Sequence, residues 1–163
     1  MQDAFIIEKA KRFDVKGKKY METPAKHYFT DVGIRNAVVN FRQNEETHIM
    51  ENIIYIELRM RGYNVDVGLV EIREKQTDGK LAKKKLEIDF IANKGNNKYY
   101  IQSAFNISAP EKRVQEERSL MKVNDSFKKI IVVRDDIKAY RGNNGILTMG
   151  LFEFLLNPNS LDA

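Results

Sequence analysis

Leu86–Ala92 (LEIDFIA), Lys94–Lys98 (KGNNK) and Tyr99–Phe105 (YYIQSAF) read together as two apolar strands joined by a tight polar turn. Two residues in this hairpin are out of character with a packed strand. Asp89 sits between Ile88 and Phe90, and strict alternation puts it on the same face as Glu87 and Ile91. Gln102 follows Ile101 and precedes Ala104 and Phe105. The hairpin therefore predicts that Asp89 and Gln102 face each other near one end of the pair.

Upstream, Val65–Glu74 (VDVGLVEIRE) alternates as a third strand, and the polar run 76–85 (QTDGKLAKKK) turns it back toward Asp89. Before it, 45–61 predicts a long helix with Ile49, Ile53, Ile56 and Met60 at helical spacing, stopped by Gly62. Glu51 lies beside that stripe, aimed at the sheet. A shorter helix is expected from Asp31, a fair N-cap, to about Phe41, with Ile34, Ala37, Val38 and Phe41 on one face. Downstream, Ser108–Glu111 has the form of a capping box and opens a charged helix to about Val123. Lys128–Arg134 (KKIIVVR) is apolar without alternation, as for a strand buried on both faces, and Ile146–Met149 and Leu151–Leu156 supply a last strand and helical turns. The expected fold class is α/β (α+β), one mixed central sheet flanked by helices.

Residues 4–30 look different. AFIIEKAKRFDV and KKYMET flank Lys16-Gly17, and the second run leads through Thr23-Pro24 into HYF. The stretch carries Lys9, Lys11, Arg12, Lys16, Lys18, Lys19 and Lys26 against Glu8, Asp14 and Glu22. It reads as a basic hairpin arm, so the expected division is 1–30 as arm and 31–163 as the main domain.

At 163 residues the chain holds one ordinary domain, and 42% hydrophobic with 31% charged residues is a globular balance. The absence of cysteine excludes disulfides, thiolate metal sites and a cysteine nucleophile, and two histidines exclude a multi-imidazole centre. No run is long and apolar enough to span a bilayer, and the first residues lack signal-peptide layout, so a cytoplasmic address is expected. The net charge of +5 favours a polyanionic partner without requiring one.

The placement of Glu51, Asp89 and Gln102 on helix, second strand and third strand resembles the PD-(D/E)XK nuclease superfamily. Its core is a helix, a three-stranded meander, a helix and a strand. There, Gln102-Ser103-Ala104 falls where the family carries (D/E)-X-K. A resemblance over nearly the whole chain is carried by KGKKYMETPAKHYFTDVGIRNAV, HIMENIIYIELRMRGYNVDVG, LEIDFIA, YYIQSAF and KKIIVVRD. These phrases look like an uncharacterised C-terminal domain of predicted prokaryotic AAA+-type ATPases, in which residues matching 4–30 end a winged-helix module. The chain has no G-x-x-x-x-G-K-[ST] loop, so the resemblance implies a C-terminal piece of a longer protein whose ATP-binding core lies outside it.

In an active member, acidic ligands hold Mg²⁺ against the scissile phosphate and a lysine stabilises developing charge. The resemblance thus implies Glu51, Asp89 and Gln102 as catalytic and metal-ligating positions. Gln102 lacks the negative charge, so Mg²⁺ would be held weakly, and Ala104 supplies no lysine. Arg113 or Arg118 on the following helix are candidate substitute cations, and Lys16, Lys18 and Lys19 are candidate nucleic-acid contacts. Tyr99 and Tyr100 are candidate stacking residues. The expected function is a degenerate nuclease-like accessory domain that binds DNA or a protein partner of its ATPase. The alternative is a Mg²⁺-dependent DNA endonuclease with a Q-x-A site.

Overall fold

The computed structural model of the chain describes residues 6–42, 45–75 and 79–162. Its frame is an eight-stranded mixed sheet. In chain order the strands are β1 (Ile7–Ala10), β2 (Arg12–Asp14), β3 (Lys19–Tyr20), β4 (Lys26–Phe29), β5 (Asn64–Lys75), β6 (Leu81–Lys94), β7 (Asn97–Ala104), β8 (Lys128–Val133), β9 (Tyr140–Arg141) and β10 (Leu147–Gly150). The helices are α1 (Val32–Val38), α2 (Glu46–Met60), α3 (Pro110–Met121) and α4 (Leu151–Leu156). The large sheet runs β3-β2-β5-β6-β7-β8-β10-β9, and β1 pairs with β4 in a separate two-stranded sheet.

The centre of the sheet follows from local pattern. β5, β6 and β7 are an antiparallel meander, and β8 joins β7 in parallel after the α3 crossover. A strand with neighbours on both sides and helices on both faces has no wet side. Ile130, Ile131, Val132 and Val133 of β8 are accordingly all buried. α2 and α4 cover one face, packing Ile54, Leu58 and Phe154 on Val67, Phe90, Ile101 and Ile130. α3 covers the other, where Leu120 meets Val70, Ile88, Ile91 and Ile131. Leu58 and Ile54 are fully buried, worth about 2–3 kcal/mol each in transfer free energy.

Four local expectations are corrected. The core-facing stripe of α2 is Met50, Ile54 and Leu58, with Tyr55 beside it, whereas Met60 is 72% exposed. Both stripes have helical spacing; between them lies the buried Asn52, whose side chain accepts from the Phe29 amide at 2.9 Å and donates to the Phe29 carbonyl at 2.8 Å. The capping box at Ser108 does not form: the N-cap is Ala109, with Pro110 at the first helical position, while Ser108 binds the Asn106 side chain. β6 begins at Leu81, so half of the expected polar turn is strand. Tyr99 and Tyr100 are buried, with hydroxyls donating to Asp162 and Asp125, and offer no stacking platform.

The N-terminal segment is not a projecting arm. β1 and β4 lie against α2, where Ala10 and Tyr28 are buried in the core and Tyr28 stacks on Tyr55 with centroids 4.1 Å apart. Glu8 on β1 accepts from Tyr55 Oη at 3.0 Å and from Arg59 Nε at 2.7 Å. β2 runs parallel to β5, with β3 outside it at the edge. Residues 1–5 of the expected arm lie outside the described residues.

Candidate functional site: a carboxylate cluster closed by Lys26

The chemistry of the sheet starts from a one-residue irregularity. β5 and β6 pair Asp66 with Ile91 and Gly68 with Ile88, so Asp89 and Phe90 together stand opposite Val67 alone. Such a bulge turns two successive side chains onto one face. Phe90 packs among the α2-side residues and Ile91 among the α3-side residues. Asp89 therefore leaves the face of Ile91, contrary to strict alternation, and enters the α2 side with Glu51.

There it meets a cation from an unexpected element. Lys26, at the start of β4, places its Nζ 2.8 Å from Glu51 Oε1, 2.7 Å from Glu87 Oε1 and 3.6 Å from Asp89 Oδ1. Tyr28, two residues on and on the same face of β4, donates to Glu51 Oε1 at 2.6 Å. Arg12 on β2 pairs with the other oxygen of Glu87 at 3.1 Å. Asp89 Oδ2 accepts the Ser103 amide at 2.9 Å. Glu51, Glu87 and Asp89 thus form one acidic cluster, held by Lys26 and framed by Arg12 and Tyr28.

The electrostatics follow from this crowding. Burial pushes the Asp89 carboxyl up, and the neighbouring Glu51 adds to the shift while Lys26 and the Ser103 amide oppose it, leaving it at about 7. For Lys26, burial alone would favour loss of the proton, but Glu51 and Asp89 overcome it and raise the ammonium above its ordinary value. The Tyr28 phenol is raised by burial and by Glu51, so it serves as a donor throughout the neutral range.

Of the positions expected from the sequence, Glu51 and Asp89 come together and Gln102 does not. Gln102 lies on the α3 face, where its Oε1 accepts from Ser119 Oγ at 3.4 Å and its side chain bonds Glu116. β7 instead turns Ile101 and Ser103 to the α2 side, and neither is a charged ligand. The expected substitute cations are also on the far face. Arg113 donates to Tyr140 Oη at 2.6 Å, and Arg118 pairs with Glu74. Lys16, Lys18 and Lys19 are exposed at the β2–β3 turn, with Lys16 Nζ donating to the Glu71 carbonyl at 2.9 Å.

Lys26, Glu87 and Arg12 were not singled out by sequence reasoning. The available signals were Lys26-x-Tyr28 and Glu87-x-Asp89, each a pair of polar groups two residues apart on a strand. What Lys26 meets is set by the pairing of β1 with β4 and its packing on α2, which no local pattern announces.

A pocket of about 280 Å³ opens over Glu51 and is also lined by Arg35, His27 and His48. A larger groove of about 720 Å³ lies on the other face, between the β5–β6 hairpin and α3, around Glu74, Val114, Arg118 and Met121. It touches none of the cluster.

The residues present do not fit a Mg²⁺ site. The Lys26 ammonium already lies within 3.6 Å of carboxylate oxygens of Glu51, Glu87 and Asp89, and the third expected ligand, Gln102, faces away.

Comparison with known proteins adds one relative. The chain is similar to an uncharacterized protein of Haemophilus influenzae, 36% identical over 132 residues. The match covers 81% of this chain and 29% of the relative, so the chain spans less than a third of that protein's length. No family model and no solved structure matches the chain. Among the described residues, no helix is long and apolar enough to cross a membrane.

Proposed function

We propose that this chain is a nuclease-like domain whose catalytic centre is degenerate, used as a nucleic-acid-binding accessory module of a longer protein. The observation that carries the reading is the Lys26 ammonium, held between Glu51, Glu87 and Asp89. An ammonium neutralises clustered carboxylates as a metal does, but it offers no open coordination position and cannot activate a water. The scaffold around it has the order α2, the β5–β6–β7 meander, α3 and a parallel β8, which is what favours a restriction-endonuclease-like reading. The much greater length of the Haemophilus influenzae relative is consistent with a module attached to a larger partner. By the resemblance above, that partner is an AAA+-type ATPase core.

A second reading has its own support. A lysine beside two acidic residues is also what a live nuclease centre contains, and Lys26 could be the missing lysine delivered from β4. The alternative is then a Mg²⁺-dependent DNA endonuclease with a rearranged site.

Incubation of the protein with supercoiled and branched DNA in Mg²⁺ or Mn²⁺ separates the two. The degenerate-site reading expects no nicking above that of Asp89→Ala. Cleavage that disappears in both Asp89→Ala and Lys26→Met would establish the endonuclease instead.

A further inference from the structure

We propose that the exposed face of the β5–β6 hairpin, beyond the carboxylate cluster, is the surface on which a nucleic-acid backbone lies. The inference rests on the nucleic-acid-binding part of the reading above and assigns it a location.

From Gly68 to Lys75, β5 pairs regularly with β6 from Ile88 back to Leu81. Alternation therefore assigns the faces, with Glu71 and Arg73 also bordering the groove beside α3. Val70 and Ile72 pack on the α3 side, so Leu69, Glu71, Arg73 and Lys75 belong to the Lys26 side. Their cross-strand partners on that side are Glu87, Lys85, Lys83 and Leu81. Beyond Glu87, the face thus carries Arg73, Lys75, Lys83 and Lys85, all exposed, against the single carboxylate of Glu71, which Lys83 meets at 3.0 Å.

The other face of the same hairpin is different. There Lys84 meets Glu74 at 3.3 Å, and Arg118 pairs with the same carboxylate. The lysine run 83–85 is therefore split. Lys83 and Lys85 join Arg73 and Lys75 on the cluster side, where Lys83 pairs with Glu71, and Lys84 lies on the opposite side, where it shares Glu74 with Arg118.

The sorted charges also continue across the sheet. β2 and β3 extend it through Leu69, Asp14 and Lys19, which are in register and share the cluster face. Lys19 brings a further exposed cation to the edge of the same surface, beside the carboxylate of Asp14. Alternate residues of a strand lie about 6.8 Å apart, so the Lys85/Glu71, Lys83/Arg73 and Leu81/Lys75 rows each present a cation at that repeat. A phosphodiester backbone laid along the hairpin meets a cation at each of these rows, and its near end arrives at the pocket over Glu51. Contacts of this kind are indifferent to sequence.

The test is a fluorescence titration of a labelled random-sequence duplex with the whole chain, over a series of salt concentrations. Lys83→Glu/Lys85→Glu is the strip variant, and Lys16→Glu/Lys18→Glu is the turn variant. The strip variant is expected to bind about tenfold more weakly and to lower the salt slope by about two, since each lost phosphate contact removes close to one unit. The turn variant is expected to bind nearly as wild type. Loss of binding in the turn variant alone would overturn the strip assignment while leaving nucleic-acid binding intact. Absence of any shift by the wild type at low salt would overturn both. Lys84→Glu, on the opposite face, changes the net charge by half as much as the strip variant: a loss of half or more of the strip variant's loss in log affinity would contradict a localised surface.

Discussion

Lys26 Nζ lies 2.7 Å from Glu87 Oε1, joining the first residue of β4 to a strand at the centre of the sheet. The same ammonium reaches Glu51 on α2 and, at longer range, Asp89 on the bulge of β6. Three elements distant in sequence are thereby tied by one charge. The bulge is what aims Asp89 at it.

Removing the ammonium leaves clustered carboxylates without a counter-charge. Lys26→Met keeps the length of the side chain and loses the charge. It is expected to cost about 3 kcal/mol, the lower end for breaking one partner out of a buried pair, because Lys26 retains some exposure. In a domain of this size that lowers the unfolding midpoint by about 10 °C. Thermal denaturation followed by circular dichroism measures it, and a shift within experimental error would mean the cluster does not depend on Lys26.

The raised carboxyl of Asp89 predicts a pH dependence. A carboxyl with a folded-state value near 7 binds more protons folded than unfolded between the ordinary carboxylate range and pH 7. Stability therefore falls as pH rises through that window and levels off above it. Asp66 and Glu116, both raised by burial, contribute with the same sign. Denaturant midpoints at pH 5 and pH 8 should show the loss in the wild type and a smaller one in Asp89→Asn. An unchanged slope in the variant would place the titration elsewhere.

Asn52 bridges both polar groups of Phe29, so it holds β4, and with it Lys26, against α2. Asn52→Ala leaves a backbone amide and carbonyl without their partner, and is expected to destabilise by about 2–3 kcal/mol. A urea midpoint equal to wild type would show that β4 is positioned by other contacts.

Gln102→Glu tests the corrected placement of the third motif position. The new carboxylate would face Glu116 and Ser119 on α3. The variant is expected to be slightly less stable, by about 0.5–1 kcal/mol, from like-charge crowding, and to gain no affinity for Mn²⁺. A gain in Mn²⁺ binding would return Gln102 to the cluster.

Much of the scaffold was legible because its signals are local. The unbroken apolar run of β8, the Gly62 stop at φ 82° after α2 and the Asp31 cap accepting from the Ile34 amide are properties of a few adjacent residues. The failure at Gln102 has one identifiable cause. β6 and β7 pair Phe90 with Ile101 and Ile91 with Tyr100, so a regular strand would place Asp89 on the face of Gln102. The bulge opposite Val67 turns Asp89 to the other face, and a bulge is defined by the count of residues on the partner strand. Lys26 was unreadable for a related reason: its neighbours come from α2 and β6, and nothing within TPAKHYF marks it as more than one more lysine in a basic segment.

The central claim is that Lys26 takes the position a divalent cation would otherwise hold. It is tested most directly by titrating Mn²⁺ into the wild type and Lys26→Met and recording the free-ion signal by electron paramagnetic resonance. The account predicts no site-specific Mn²⁺ binding by the wild type. It predicts binding by Lys26→Met that is lost again when Asp89 is changed to Asn in the same chain. Stoichiometric Mn²⁺ binding by the wild type, abolished by Asp89→Asn alone, would contradict it.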